Sequence, residues 1–506
     1  MILRTMEPQA PAQTIDTLCQ EVLSYDPAAD VKQIRKAFTF AEEAHRGQKR
    51  ASGVAYIVHP LATAHTLAQM RLPTSIIVAG LLHDVPEDTE RTLEDLKTEF
   101  GADVASMVDG ISKLGKIKYR GMERYIENLR KMFLAMAADV RVVFIKFADR
   151  LHNLQTLDAI PQKKQYRIAL ESLEIYAPIA NRLGMGEMKG MLEDAAFKYI
   201  YPKEFQWVQE LAKSTREGKQ EYLDRVMEMT TDILVKAGLK DVNVHGRAKY
   251  LFSLYKKLLK NDRNIARIYD IIAVRVVVDS VADCYAALGI IHSKWTPVKG
   301  RIKDYIAQPK PNGYRSLHTT VFCEEGEIVE FQIRTPEMHR ESEFGIAAHW
   351  SYDELGKKAV PMGKTTPQWV YELADIQQEL SDKKKFVQSL EDLKIDIFRD
   401  RIFVFTPKGD VIDLPEDSTC VDFAYAIHTD IGNTCTGAKV NEAHSPLETV
   451  LKNGDMVDII TDKARKGPNP AWIKFVKTHH ARQKVRQFAR SKIGSWIKGI
   501  LPGKKG

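Results

Sequence analysis

The sequence predicts a multidomain chain: an all-α first part, an α/β part built on a mixed sheet, a small β-rich unit, and a basic helical tail. Three observations predict the folded parts. From about residue 30 to 200, apolar residues recur at helical spacing with few β-branched runs. After Gly238, strand-like and helix-like stretches alternate, the pattern of a mixed sheet with helices packed on it. Between Arg401 and Ile460, short apolar runs such as Ile402-Phe-Val-Phe405 are broken by turns such as Pro407-Lys-Gly-Asp410. A length of 506 residues leaves room for about three domains.

The elements follow in order. In the α/β part, a basic amphipathic helix is expected over Arg247–Lys260, then a buried strand over Ile271–Val278 and a helix over Ala282–His292. Two further strands are expected near Thr319–Phe322 and Ile328–Ile333. Residues Tyr352–Pro367 hold Gly, Pro and Lys and read as a linker, and Trp369–Leu393 as a polar helix. The expected units are therefore 1–200, 201–350, a linker with a helix over 351–400, 401–462 and a tail over 463–506.

Composition narrows the function classes. No apolar run approaches the length of a bilayer span, and Glu7 with a Pro-rich stretch replaces the basic-then-apolar start of a secretory signal. The five cysteines have no CxxC spacing, so a disulfide framework or thiolate zinc site is not expected, and a cytoplasmic location is. The net charge of +7 belongs to the tail. Residues 463–506 carry thirteen Lys or Arg and no acid, whereas residues 1–462 carry 61 basic and 67 acidic side chains. With Trp472, Phe475, Phe488 and Trp496 interspersed, such a tail suits phosphate-rich partners, although a solvated basic helix has the same composition.

Two constellations carry chemistry. In the helical part, His59, the pair His83-Asp84, and Asp149 offer two imidazoles and two carboxylates, a donor set that suits a divalent transition metal. Glu87 and Asp88 follow about one helical turn after the His-Asp pair and can face the same cavity. In the α/β part, Asp270 precedes a strand and Glu330 lies on another. Between them, a Pro- and Gly-stiffened loop carries Lys303, Lys310, Asn312, Tyr314 and His318. Carboxylates ringed by cations are what phosphoryl-type transfer requires. Each residue singly also has a plainer reading, as a capped helix end or a solvated charge.

These motifs resemble the RelA/SpoT homologue family. Ala44-His-Arg-Gly-Gln-Lys-Arg50 with Tyr56-Ile-Val-His-Pro60, Leu82-His-Asp-Val-Pro-Glu-Asp-Thr89, and Ala148-Asp-Arg-Leu-His-Asn153 resemble its HD-type hydrolase motifs. The resemblance implies that His59, His83, Asp84 and Asp149 hold a manganese ion and that Glu87 and Asp88 position and activate water. It further implies that Arg50 lies against the guanine and Asn153 on the ribose. Three neighbours depart from the family: Ala51 where Lys is usual, Gln155 where Arg is usual, and Pro86 inside the HDxxED motif.

The stretch from Gly246-Arg-Ala-Lys249 through Gly300–Thr320 to Val329-Glu-Phe-Gln-Ile-Arg334 is similar to the family's synthetase domain, a nucleotidyltransferase-like α/β fold. The implied reaction moves the β,γ-pyrophosphate of ATP to the 3′-hydroxyl of GDP or GTP. By that resemblance Asp270 and Glu330 bind magnesium, Glu330 also activating the hydroxyl, and Arg247, Lys249 and Lys257 grip the ATP phosphates. Tyr314 stacks on guanine with Asn312 in support, while Lys303, Lys310 and His318 contact the acceptor. Arg301-Ile-Lys-Asp304 matches family members with both activities. Because concurrent synthesis and hydrolysis only consume ATP, the two sites are expected to oppose each other through residues 155–240.

Residues 401–462 resemble a TGS domain, a small β-grasp-like module, through Phe405-Thr-Pro-Lys-Gly-Asp410, Asp422-Phe-Ala-Tyr-Ala-Ile-His428 and Lys452-Asn-Gly-Asp455. The resemblance implies contact with uncharged tRNA and the ribosome, His428 being the residue nearest the tRNA end. It also implies a chain without the C-terminal zinc-finger and ACT modules of longer relatives. The leading expectation is thus a bifunctional guanosine 3′,5′-bis(diphosphate) synthetase and hydrolase of the stringent response. The alternatives are a synthetase with an impaired hydrolase, and a tRNA- and ribosome-binding regulator.

Overall fold

The computed structural model describes residues 13–115, 131–217, 219–265, 268, 272–310, 312–348, 401–452, 454–465, 467–478 and 480–489. Asp270 and the expected linker and helix over 351–400 lie outside them, as does the end of the tail.

The chain forms two compact units that divide after Asp375. The first begins with helices: α1 (Ile15–Tyr25), α2 (Val31–Ala44), α3 (Val58–Gln69), α4 (Thr74–Leu82), α5 (Val85–Asp88), α6 (Leu93–Phe100), α7 (Ala102–Gly115) and α8 (Arg141–Gln155). Their boundaries follow local chemistry. Thr14 and Thr17 make a capping box at α1, and Thr92 and Asp95 make another at α6. Pro86 is the second residue of α5, where a missing N–H costs no helical hydrogen bond. Helix α8 is buried on nearly all sides, which makes it the central helix of this bundle. It therefore holds three of its polar residues, Arg141, Asp149 and His152, inside the protein.

The helical run continues through α9 (Gln162–Glu171), a π-helical segment Ser172–Tyr176, α10 (Ala177–Arg182), α11 (Gly186–Ile200), α12 (Pro202–Glu217) and α13 (Gln220–Lys236). The sheet follows: β1 (Asn243–Ala248), α14 (Leu251–Lys260), β2 (Ile272–Val277), α15 (Val281–Lys294), β3 (Thr296–Pro297), β4 (Lys303–Asp304), β5 (Leu317–Phe322), β6 (Ile328–Arg334) and α16 (Pro336–Phe344). The strand order is β1-β2-β6-β5-β3, with β4 also paired to β5. Strands β2 and β6 are parallel, and the other neighbours are antiparallel. The sheet is mixed, as expected.

Strand alternation divides the sheet into two faces. Val274, Val276, Leu317, Val321, Val329, Phe331 and Ile333 point into one apolar core with Leu234 of α13 and Ala287 and Ile291 of α15. The alternate positions place Arg247, Arg275, His318, Glu330, Gln332 and Arg334 on the other face. That polar face is the floor of the second candidate site.

One expected element is wrong. The basic helix expected over Arg247–Lys260 is a strand, β1, followed by a helix that starts only at Leu251. Arg247 stands opposite Ala273 in the ladder with β2, so its backbone is committed to the sheet. The helix begins where it does because Asp194 of α11 accepts the Leu251 and Phe252 N–H groups at 3.0 and 2.9 Å. Gly345, at φ 55°, brings the chain back against this helical part. A Cβ there would stand 2.2 Å from the Leu183 carbonyl oxygen, and Ile346 N–H donates to the same oxygen.

The second unit has a hairpin, β7 (Arg401–Phe405) and β8 (Val411–Pro415), and a three-stranded sheet ordered β10-β9-β11. Between them come α17 (Cys420–Ile427) and α18 (Thr429–Thr434), then β9 (Cys435–Val440), β10 (Ala443–Ser445) and β11 (Val457–Thr461). Trp472, Val476, Ala481 and Val485 pack on Val421, Ala424 and Tyr425. The start of the basic tail therefore shares a core with the unit before it. Among the described residues no helix is long and apolar enough to cross a membrane.

Candidate active sites

The first site is a cavity of about 430 Å³ bordered by Arg50, Tyr56, His59, Asp84, Lys146, Asp149 and Asn153. Four elements deliver its groups: His59 from the first turn of α3, His83 and Asp84 from the junction of α4 and α5, and Asp149 from α8. Ligand atoms of His59, His83 and Asp149 lie within 4.8 Å of one another. His59 Nε2 is 3.5 Å from Asp84 Oδ2 and 3.3 Å from Asp149 Oδ1.

The protonation pattern suits a cation. His83 Nδ1–H donates to the Gly80 carbonyl at 2.8 Å, so in the neutral ring it is Nε2 that carries the lone pair. That nitrogen is buried and makes no hydrogen bond, although Asp84 Oδ1 is 3.2 Å away. A lone pair facing a carboxylate oxygen at this distance is repulsive unless a positive charge lies between them. Burial pushes the Asp149 carboxyl up, but Lys146, 2.7 Å from Oδ2, and His59 outweigh it and hold it well below the usual range. Burial also raises Asp84, and His83, His59 and the Tyr56 hydroxyl bring it below normal. Burial lowers His59, which favours the neutral, ligating form. The donor set fits a divalent metal ion.

The other expected residues divide. Arg50 donates to Asn153 Oδ1 at 2.7 Å, so both meet at the cavity wall. Asp88 and Glu87 stand exposed on α5 and do not border the cavity, but Asp88 accepts from the Tyr56 hydroxyl at 2.6 Å. Of the three departures from the family pattern, Ala51 alone lines the cavity; Gln155 is exposed at the end of α8 and Pro86 sits in α5. Sequence reasoning missed Tyr56, Lys146 and His152. Lys146 and His152 stand three residues either side of Asp149 on one helix face, a spacing that could have flagged both.

The second site is a cavity of about 160 Å³ that includes Lys189, Arg247, Arg275, Lys310, Asn312 and Tyr314. Glu330 on β6 is next to it through a chain of contacts. Glu330 Oε1 lies 3.1 Å from His318 Nδ1 and accepts from Gln332 Nε2 at 3.0 Å, and His318 Nε2 is 2.7 Å from the Tyr314 hydroxyl. Burial, helped by Lys310 and Arg334, lowers His318 despite Glu330, so the ring is neutral and one nitrogen can accept. The Lys310 ammonium lies over the rings of Tyr305 and Tyr314 at 4.6 and 4.9 Å.

Positive charge is concentrated on this face. Arg275 pairs with Glu343 at 2.7 Å, yet burial and the neighbouring Arg247 and Arg334 push it down to about 10. Burial raises Glu343, and the three arginines bring it below its usual value. The structure thus gathers Arg247, Lys310, Asn312 and Tyr314 around one cavity and joins His318 to Glu330. Lys249, Lys257 and Lys303 do not border it; Lys303 is exposed on β4, opposite His318. Lys189, from helix α11, carried no signal in the sequence. The helical part also touches the loop directly, since Asn312 Nδ2 donates to the Asn181 carbonyl at 3.2 Å.

In the second unit His428 is the N-cap of α18, its Nδ1 accepting from Asp430 N–H at 3.2 Å, and its side chain is 65% exposed. It completes a helix end and remains accessible.

Three family models match the chain: an HD domain over residues 37–186, the region found in RelA / SpoT proteins over 246–357, and a TGS domain over 402–461. Among similar proteins, a GTP pyrophosphokinase of Myxococcus xanthus is 46% identical over 473 residues, covering 93% of this chain and 62% of the relative. The bifunctional (p)ppGpp synthase/hydrolase SpoT of Escherichia coli K12 is 43% identical over 477 residues, covering 94% and 67%. The chain spans 57% to 62% of the length of the three pyrophosphokinases it matches at 46% identity. Among solved structures, small alarmone synthetase 2 of Bacillus subtilis is 26% identical, covering 35% of this chain and 98% of that one, with a TM-score of 0.24. A metazoan ortholog of SpoT is also 26% identical, covering 28% and 80%, with a TM-score of 0.24.

Proposed function

The chain belongs to the RelA/SpoT family, and from that premise we propose that it both makes and hydrolyses guanosine 3′-pyrophosphate alarmones, at two separate sites in its first unit. The observation that carries this reading is the convergence of His59, His83 and Asp149, with Asp84 beside both imidazoles, around a buried imidazole nitrogen that makes no hydrogen bond, well apart in sequence from the Glu330 face.

In hydrolysis, His59, His83, Asp84 and Asp149 would hold one divalent ion, manganese by the family resemblance. When bound, such an ion neutralises charge at the scissile phosphate and acidifies water. Lys146 keeps Asp149 ionised, so the carboxylate is ready to ligate. Glu87 and Asp88 position the attacking water and take its proton, and Tyr56 holds Asp88 in place. Arg50, steadied by Asn153, lies against the guanine, and Asn153 contacts the ribose. Water attacks the phosphorus attached to O3′, that P–O3′ bond breaks, the proton taken from the water passes to O3′, and GDP and pyrophosphate leave.

In synthesis, ATP and GDP or GTP meet at the polar face of the sheet. Asp270 and Glu330 would hold magnesium, which would offset charge on the transferring group. Arg247, Lys249 and Lys257 grip the ATP phosphates, and Lys303, Lys310 and His318 hold the acceptor, with Tyr314 stacked on its base and Asn312 supporting it. Glu330 takes the 3′-hydroxyl proton as O3′ bonds to the β-phosphorus; the bond from that phosphorus to the α,β-bridging oxygen breaks and AMP leaves. The TGS unit and basic tail bind uncharged tRNA and the ribosome, with the exposed His428 ring at the tRNA end. The free, buried cysteines fit a cytoplasmic setting.

Nucleotide chromatography tests the proposal. ATP and GDP with magnesium should give the tetraphosphate, and the purified tetraphosphate with manganese should return GDP. Glu330→Gln should abolish the first reaction and spare the second; Asp84→Ala should do the reverse. If either substitution removed both activities, the two-site reading would fail.

A further inference from the structure

We propose that His152 is a positioning residue of the hydrolase centre, which fixes the proton of the His59 ring on Nδ1 so that Nε2 presents its lone pair to the metal ion. The inference rests on the metal-binding reading of that site. His59 Nδ1 and His152 Nδ1 lie 2.8 Å apart, and both rings are buried. Two ring nitrogens at this distance need one proton between them: two bare nitrogens repel, and two N–H groups clash.

Only one of the two arrangements lets His59 ligate. If His59 Nδ1–H donates to His152, His59 Nε2 is bare and faces Asp84 and Asp149 at 3.5 and 3.3 Å. If His152 donates instead, a neutral His59 carries its proton on Nε2 and gives it to a carboxylate, so it has no lone pair for a cation. His83 has no such freedom, because its Nδ1 partner is the Gly80 carbonyl, which can only accept. The centre therefore holds one histidine whose tautomer is set by the backbone and one whose tautomer is set by another side chain. Helix α8 supplies both Asp149 and His152, three residues apart, so a ligand and the orienter of another ligand move as one rigid piece.

The test uses the full chain and manganese(II) alone, with free Mn²⁺ followed by electron paramagnetic resonance. His152→Phe removes the acceptor and should weaken Mn²⁺ binding by about 10- to 100-fold. His152→Asn offers an amide oxygen in place of Nδ1 and should recover most of that loss. Unchanged synthesis in both variants shows that the fold is intact. Equal Mn²⁺ affinity in wild type and His152→Phe would overturn the role of His152. Absence of binding in the wild type would instead overturn the metal reading of the site. A second measurement needs no variant. In the metal-free chain labelled with ¹⁵N-histidine, His59 should show a protonated Nδ1 and a bare Nε2; the reverse pattern would overturn the inference.

Discussion

The Tyr56 hydroxyl lies 2.6 Å from Asp88 Oδ2, and the same oxygen is 2.9 Å from Asp84 Oδ2. It is the link between a residue proposed to bind metal and a residue proposed to handle water. Burial, then the charges of Asp84 and Asp88, push the phenol far above its usual range, so it remains a donor at any working pH. Its ring is held by stacking on His45, with centroids 4.5 Å apart. Tyr56→Phe keeps that stacking and removes the clamp. A hydrogen bond to a charged group is worth ~1.5–3 kcal/mol, so kcat for hydrolysis should fall about 10- to 100-fold with KM little changed. Synthesis should be unaffected. Steady-state release of pyrophosphate checks this, and an unchanged kcat would remove Tyr56 from the reaction.

Ala51 stands on the wall of the proposed hydrolase cavity, whereas Gln155 is exposed at the end of α8. Both differ from the residue usual in the family, but only the first is placed to touch substrate. Ala51→Lys should add a charge-assisted contact to the tetraphosphate, worth about 1 kcal/mol, and lower KM for hydrolysis about five-fold. Gln155→Arg should change KM by less than about two-fold, the scale of exposed ion pairs. Substrate titrations of both variants decide it. A larger gain from Gln155→Arg would show that the substrate extends beyond the cavity.

The candidate metal ligands and the faces of the central strands were legible in the sequence because each depends on short-range pattern. His83-Asp84 sits at a helix junction, and Val329, Phe331 and Ile333 alternate with Glu330, Gln332 and Arg334. The strand at Asn243–Ala248 was not legible. Its six residues hold Gly246 and two basic or imidazole side chains, and its strand character comes from pairing with β2, 24 to 34 residues further on. The start of α14 was hidden for a related reason, since its cap is Asp194, more than 50 residues earlier. His152 and Tyr56 were visible as letters, but their roles depend on distances of 2.6 to 2.9 Å between different helices.

His245 and His339 meet edge to face, with centroids 5.6 Å apart. Burial, then Arg275 and Arg334, lower His245 to about 4; burial, against Glu343 but helped by Arg334, lowers His339 to about 4. The unfolded chain takes up protons on these rings near pH 6.5, while the folded chain does not until about pH 4. Their stabilising contribution is therefore complete above about pH 6.5 and is lost as pH falls toward 4. Urea unfolding of the sheet-containing unit should show a lower midpoint at pH 5 than at pH 7.5. His339→Phe should make that dependence shallower, because His339 Nδ1 is buried without a hydrogen-bond partner and the phenyl ring cannot be protonated. Equal pH slopes for wild type and variant would mean that His339 protonates in the folded state.

Asp422 is fully buried in the second unit, and its carboxylate accepts five hydrogen bonds. Oδ2 takes the Thr419 N–H and hydroxyl at 2.8 and 2.7 Å, which closes the N-terminus of α17. Oδ1 takes the Lys477 and Thr478 N–H groups and the Thr478 hydroxyl at 2.9, 2.7 and 2.9 Å. One side chain thus fastens the first turn of α17 to the start of the basic tail. Asp422→Ala would leave three backbone donors without partners, each costing ~1–3 kcal/mol. The sum is comparable to the whole stability of a small domain. The variant's second unit should then be cleaved by trypsin under conditions where the wild type resists, with both nucleotide activities retained by the first unit. Asp422→Asn should lie between the two, because an amide keeps one acceptor oxygen but turns an N–H₂ toward existing donors. The Thr hydroxyls can rotate to accept from that amide; the backbone N–H groups cannot. Wild-type protease resistance in Asp422→Ala would show that the apolar packing of Trp472 and Val476 on Val421 and Tyr425 holds the tail without the carboxylate.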